Sequence, residues 1–261
     1  MPMNNTFQTP PEARPVILLV GAALGIGRAI ARLATARGFA LAACDIDLGA
    51  LESLKPELAP DALVGRADIV DAGSVQAFVR AALERFGRID AVISNAGGMI
   101  SLVHEGAVEA NIRAFKDIPA GDWKPIIDLN LYGPLNVAHA VLPSMLERGR
   151  GRIVFISSVS GLSGGAGLSV YAAAKGAVHA FAKSLAREVT AAGVSVNCVA
   201  PGAVATRAFP EGSPSIERRL RSVSIGRLGL PEEIAQVALY VAADAPPYLS
   251  GEIIAVSGGP P

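Results

Sequence analysis

The chain has 261 residues, 51% of them apolar, which is enough to bury a sizeable core. Lys and Arg together number 23 and so do Asp and Glu, so no net charge advertises nucleic acid or an anionic membrane surface as a partner. No apolar run reaches the length of a membrane span, and no Cys/His cluster carries metal-ligand spacing, so no metal is expected. Residues 1–14 are polar and proline-rich and lack the basic and apolar segments of a signal peptide. They are expected to form a disordered tail ahead of a single domain over residues 15–261. The two cysteines, Cys44 and Cys198, fall in apolar strand-like runs and read as small buried hydrophobes, which fits a reducing cytoplasm.

Val16 to Val20 is a continuous apolar run, as expected of a strand buried on both faces. It runs into Gly21-x-x-Leu24-Gly25-Ile26-Gly27 and then a helical pattern. Strand, glycine loop and helix in that order form a phosphate-binding unit, in which glycines let the backbone approach a pyrophosphate at a helix N-terminus. The second strand, from Ala40 to Cys44, ends at Asp45, 18 residues past Gly27. A carboxylate there can accept hydrogen bonds from an adenosine ribose and would repel a 2′-phosphate. Leu24 and Ile46 offer no cation to bind one, so NAD is favoured over NADP.

A third strand, 62–66, leads to Asp68 and Ile69 and a helix from about Ser74 to Phe86. A fourth, 90–94, delivers Asn95-Ala96-Gly97. This alternation predicts an α/β fold, a doubly wound parallel sheet of the Rossmann type with about seven strands and helices on both faces. Residues 98–121 form a long, poorly patterned connection containing His104. A helix is expected from Asp122, as N-cap, to about Arg148, with Trp123 packing at its start and Asn130 in its middle. A fifth strand, 151–156, ends at Ser157 and Ser158, and a glycine-rich crossover leads to a helix reaching about residue 191. The sixth strand, 194–200, opens onto Pro201-Gly202-x-Val204-x-Thr206; a loop, a helix over 231–243 and a strand over 253–256 complete the chain.

Within the helix that follows the crossover, Tyr171-x-x-x-Lys175 sets a phenol and an ammonium one above the other on one face. The cation favours the phenolate and lowers the tyrosine pKa from about 10 toward the working pH of a general acid or base. His104, His139 and His179 read as surface or packing residues.

Gly21-x-x-x-Gly25-x-Gly27, Asn95-Ala96-Gly97, Asn130, Ser158, Tyr171-x-x-x-Lys175 and Pro201-Gly202, in this order and at these spacings, resemble the short-chain dehydrogenase/reductase family over nearly the whole chain after the tail. The resemblance implies a catalytic tetrad of Asn130, Ser158, Tyr171 and Lys175. Ser158 is chosen over Ser157 because it stands 13 residues before the tyrosine. Cofactor contacts are implied at Gly21, Leu24, Gly25, Ile26, Gly27, Asp45, Ile46, Asp68, Ile69, Asn95, Ala96, Gly97, Tyr171, Lys175, Pro201, Gly202, Val204 and Thr206. In this scheme Tyr171 moves the proton, Ser158 holds the substrate oxygen, Lys175 supports the phenolate and bonds the nicotinamide ribose, and Asn130 anchors a relay water. Three positions depart from many relatives: Val20 stands for a threonine whose hydroxyl clamps the glycine loop to the Asn95 turn, Ser94 for an asparagine, and Ser257 for an aspartate. The connection from Gly97 to Trp123 is also longer than usual.

The function expected is an NAD-dependent interconversion of a secondary alcohol and its ketone. Apolar loop residues (Leu162, Leu168, Val170, Phe209) suit a cyclic or aliphatic substrate, and Arg207, Arg218, Arg219 and Arg221 suit a solvated basic loop. The alternatives are a 3-oxoacyl thioester reductase, a class that usually prefers NADPH, and a nucleotide-sensing protein that keeps the fold without chemistry. The family resemblance also implies a homotetramer.

Overall fold

In a computed structural model the described residues are 14–98, 112–206, 220 and 223–259. Among them seven strands form one parallel sheet: β1 (Val16–Val20), β2 (Ala40–Asp45), β3 (Leu63–Arg66), β4 (Ala91–Ser94), β5 (Gly151–Ile156), β6 (Val194–Pro201) and β7 (Ile253–Val256). Their spatial order is β3-β2-β1-β4-β5-β6-β7. The chain moves outward from β1 to β3, returns to pair β4 against β1, and then moves outward the other way. The reversal between β1 and β4 opens a crevice at the carboxyl ends of the strands, where ligands bind in sheets of this kind.

The apolar strands alternate their side chains between two helical layers. Ile17, Leu19, Leu41 and Ile93 face α1 (Gly25–Ala36), α2 (Leu48–Leu54) and α8 (Pro231–Leu239). Leu18, Val92, Phe155 and Val196 face α3 (Ala72–Phe86), α5 (Gly133–Glu147) and α7 (Ser169–Val189), the last preceded by the short α6 (Ser160–Ser163). Covering both faces removes the strands from water and explains their unbroken hydrophobic runs. Cys44 and Cys198 are buried free thiols, and burial pushes the Cys198 thiol up to about 12. No helix among the described residues is long and apolar enough to cross a membrane.

Three elements differ from the sequence expectations. Helix α3 starts at Ala72, not Ser74, because the Asp71 carboxylate caps it by accepting from the amides of Gly73 and Ser74. Helix α2 was not expected; it spans only two turns and is capped by Asp47, which accepts from the Ala50 amide at 3.0 Å. The helix expected over 122–148 is broken into α4 (Trp123–Ile127), a π turn (Asp128–Tyr132) and α5. Asp122 makes no side-chain cap and instead ends a 3₁₀ turn.

Asp90 pins three elements at the opposite end of the sheet from the crevice. One oxygen accepts from the Val16 amide at 2.8 Å and from Arg88 Nε at 2.9 Å, and the other from Arg148 Nη2 at 2.7 Å. Burial opposes ionisation, yet the Val16 amide and the two guanidinium groups outweigh it and hold the carboxyl below its ordinary range. A depressed carboxylate pKa stabilises the fold above the unfolded value of about 3.9, and the contribution is lost as pH falls through the folded value. Asp90→Asn should therefore lower stability by about 2 kcal/mol at pH 7. Urea midpoints of the two proteins should converge below about pH 4.

Candidate active site

The crevice is walled by the glycine loop after β1 and by the turn after β4. The amides of Asn95 and Ala96 both donate to the Val20 carbonyl, and Asn95 Nδ2 donates to the Gly21 carbonyl at 2.7 Å. The carboxamide of Asn95 thus makes the clamp that the resemblance assigns to a hydroxyl at position 20. The two departures face each other, since Val20 and Ser94 are Cα partners, and the buried Ser94 hydroxyl has no partner among the described residues. Position 27 admits no side chain, because a Cβ there would lie 1.8 Å from the Gly21 carbonyl oxygen. The third departure, Ser257, donates its hydroxyl to the Gly259 carbonyl.

These residues fit a dinucleotide. Helix α1 has Leu24 at its N-cap without a side-chain cap, and no acidic residue stands in its first turn. The amides of Gly25, Ile26 and Gly27 therefore present an uncompensated positive end suited to a pyrophosphate. Asp45 closes the tip of β2, its carboxylate accepting from the Ala23 amide at 3.0 Å and the Asp47 amide at 3.2 Å. Ala23 is buried and Ile46 exposed, so neither supplies a cation beside Asp45. Arg28 and Arg32 are both engaged by Glu57, and the Arg32 and Arg28 hydrogen bonds pull that carboxyl down to about 2. Exposed Arg66 on β3 is the Cα partner of Asp45.

The remaining expected cofactor positions divide. Asp68 is half-buried at the end of β3, with its carboxylate accepting from the Val70 amide at 3.0 Å. Ile69 turns inward instead: its side chain is buried against Gly133, where a Cβ would lie 2.3 Å from Ile69 Cδ1, so it packs the core. Pro201 and Gly202 end β6 beside β7, and Val204 bridges to Gly229. Thr206 reaches back over the glycine loop, its methyl 3.3 Å from where a Cβ on Gly25 would stand.

Asn130 lies fully buried inside the π turn. Its Nδ2 donates to the carbonyls of Ile126 and Gly98, each at 3.0 Å, and its Oδ1 accepts from the Gly98 amide at 3.0 Å. Both amide protons are used, so a relay water on this side chain is limited to the remaining lone pair of Oδ1. A Cβ on exposed Gly97 would lie 3.0 Å from both Asn130 Oδ1 and Lys175 Nζ, so the bare backbone there is what lets the two groups converge. Tyr171 and Lys175 occupy the first turns of α7, with the ammonium 5.7 Å from the phenol ring centroid. Lys175 is buried and donates to the Ile156 carbonyl at 3.3 Å; burial lowers its pKa to about 8.

The two serines after β5 separate by environment. Ser157 is buried, with its hydroxyl on the Val199 carbonyl and on His179. Ser158 is half-buried and accepts from the Ser160 amide at 3.1 Å, which leaves its own O–H to donate outward. His179 is a buried member of this cluster that the histidine spacing gave no reason to single out; only its place one turn after Lys175 hints at it. His139 is exposed, and Trp123 stacks on Phe115 with ring centroids 5.4 Å apart. Ile112, within the long connection, reaches the 164–168 loop, where a Cβ on Gly167 would lie 2.4 Å from its side chain. His104, Arg207, Phe209, Arg218, Arg219 and Arg221 lie outside the described residues.

Lys175 releases its proton at about 8 in the folded chain and near its ordinary 10.5 when unfolded, so the buried ammonium opposes folding below about pH 8. The penalty fades as pH rises toward 10.5. Lys175→Met should raise stability at pH 7 by about 1–3 kcal/mol, and thermal melts should show the gain shrinking in alkaline buffer.

The family model for short chain dehydrogenases matches residues 15–215. A 3-oxoacyl-acyl-carrier-protein reductase of Thermotoga maritima is 34% identical over 252 residues, covering 94% of this chain and 96% of the relative. The enzyme of that name from Escherichia coli is 33% identical over 247 residues, covering 94% and 96%. A 2-(S)-hydroxypropyl-CoM dehydrogenase of Xanthobacter autotrophicus is 32% identical over 254 residues, covering 94% and 95%. With this sheet order and these side chains at its carboxyl edge, the chain is an oxidoreductase of the short-chain dehydrogenase/reductase family.

Proposed function

We propose that this oxidoreductase interconverts a ketone and a secondary alcohol on a 3-oxoacyl or 3-hydroxyacyl thioester, with NAD(H) as the cofactor. The observation that carries the chemistry is the convergence of Asn130 and Lys175 on Gly97, with Tyr171 on the same helical face as the lysine. The thioester class is supported by the 3-oxoacyl reductases among the relatives. When bound, the nicotinamide supplies or accepts the hydride. The α1 amides would hold its diphosphate, Asp45 and Ile46 would border the adenosine ribose, and Asp68 would flank the base. Asn95, Ala96, Gly97, Pro201, Gly202, Val204 and Thr206 would line the nicotinamide end. The Ile69 side chain packs the core, and its main chain would carry the cofactor contact expected from sequence.

In the reducing direction Tyr171 donates its phenolic proton to the carbonyl oxygen as charge develops there, while the Ser158 O–H donates to the same oxygen and fixes its position. The Lys175 ammonium favours the phenolate left behind, and its buried site strengthens that interaction by excluding water. Asn130 anchors the Gly98 backbone and offers one lone pair to the proton path. Oxidation runs the same groups in reverse. Asp45 selects the free ribose hydroxyls of NAD(H).

A second reading, an enzyme acting on a smaller apolar secondary alcohol, is favoured by the hydroxypropyl-CoM dehydrogenase relative and by half-buried Leu168 and Val170 near the site. Exposed Arg66 beside Asp45 is the feature that favours NADPH. Initial rates with NADH and NADPH against 3-oxoacyl thioesters, and with NAD+ and NADP+ against free secondary alcohols, separate these readings. We expect thioester turnover with NADH preferred by about tenfold or more, a difference of about 1.4 kcal/mol. Tyr171→Phe should lose about 10²–10⁴-fold in kcat while still binding NADH. Preference for NADPH overturns the Asp45 argument, turnover of alcohols alone moves the second reading forward, and NADH binding without turnover in either protein makes it a nucleotide sensor. We further propose a homotetramer built on the α5 and α7 faces. Light scattering at micromolar concentration should give four times the chain mass, and a monomer mass would overturn this.

A further inference from the structure

Tyr171, Lys175 and His179 stand at i, i+4 and i+8 of α7 and form one stripe. That stripe docks on the end of β5 at successive residues. Lys175 donates to the Ile156 carbonyl, and His179 Nε2 lies 2.9 Å from the Ser157 hydroxyl. The neutral imidazole has a single N–H, and it donates this to the Gly161 backbone carbonyl. Nε2 is then the acceptor facing the Ser157 hydroxyl, whose proton lies between Nε2 at 2.9 Å and the Val199 carbonyl at 3.2 Å. The same ring also meets the far end of this turn, because a Cβ on Gly161 would lie 2.7 Å from His179 Cε1. Between the two anchor points the turn closes on itself: the Gly161 amide donates to the Ser158 carbonyl at 3.0 Å, and the Ser160 amide to Ser158 Oγ at 3.1 Å. Ser158 is therefore the half-buried apex of a segment held at both ends by one buried imidazole.

We propose that His179 is a positioning residue: it sets the 157–161 turn so that the Ser158 hydroxyl meets the substrate oxygen. The proposal rests on the reading of Ser158 given above. Burial keeps the imidazole in its neutral form, which suits a fixed single-donor role. An apolar side chain of similar size in its place would fill the same space between α7 and β5 but give Ser157 no acceptor and the Gly161 carbonyl no donor. The turn would then be free to shift by fractions of an ångström, enough to spoil alignment at a reacting oxygen.

The test is a double-mutant cycle of His179→Leu with Ser158→Ala, together with His179→Gln, whose carboxamide keeps one acceptor and one donor for the two ends of the turn. The readouts are kcat and KM with the substrate found above, and NADH affinity by fluorescence titration. His179→Leu is expected to lower kcat by about tenfold to a hundredfold with NADH affinity unchanged, and His179→Gln to recover most of the loss. On the Ser158→Ala background the same substitution should cost less than about twofold, because both changes remove one function. An equal kcat loss in both backgrounds overturns the proposal, as does wild-type kcat in His179→Leu. If His179→Leu does not fold, a His179→Gln protein with the full loss also overturns it. Wild-type turnover in Ser158→Ala alone removes the role of Ser158 itself, and with it this proposal, whereas loss in Ser158→Ala without loss in His179→Leu removes only the role of His179.

Discussion

Every group assigned to the site reaches it because seven strands run in one direction. A parallel sheet places all its carboxyl ends along one edge, and covering both faces leaves that edge as the place where backbone and side chains meet solvent. The order β3-β2-β1-β4-β5-β6-β7 adds the second constraint, a reversal between β1 and β4. The glycine loop and the Asn95 turn flank that reversal and are tied together by main-chain bonds to Val20 and by the Asn95 carboxamide. The remaining loops are arranged around this seam.

The site is held at the expense of stability. Lys175 is a buried cation with a carbonyl, not a carboxylate, as its hydrogen-bond partner, and among the described residues the Ser94 hydroxyl is buried without one. Asn130 disrupts its own helix, since its amide takes the Ile126 carbonyl one turn back and its carbonyl oxygen takes the Gly98 amide. The widened π turn is the backbone's accommodation of that side chain. Helices free of functional demands are built differently here: α3 has an aspartate cap and a glycine in the left-handed conformation at its end. The contrast supports placing function at the irregular elements.

Much of this was legible because it is local. Alternating strands and helices, glycines at a strand-to-helix turn, and a tyrosine four residues before a lysine each depend on short-range geometry, and they located the sheet and the four groups Asn130, Ser158, Tyr171 and Lys175. What escaped was set by partners far away in the chain. The π turn follows from a bond between Asn130 and Gly98, 32 residues apart. The packing of the Ile69 side chain against Gly133 was not legible, because it depends on the α3 to α5 layer closing over it. His179 resembles any helical histidine until β5 brings Ser157 against it. Helix α2 was too short for its periodicity to stand out.

The sequence alone determined the fold class, the phosphate-binding unit, the pairing of Tyr171 with Lys175 and the acidic residue at the tip of β2. Each is a matter of residue type at a fixed spacing along one or two elements. Tertiary structure alone decided which carboxamide clamps the glycine loop and how deeply Lys175 is buried. It decided them because side-chain environment is created by packing between layers, and neighbours in space there are separated by tens of residues in the chain.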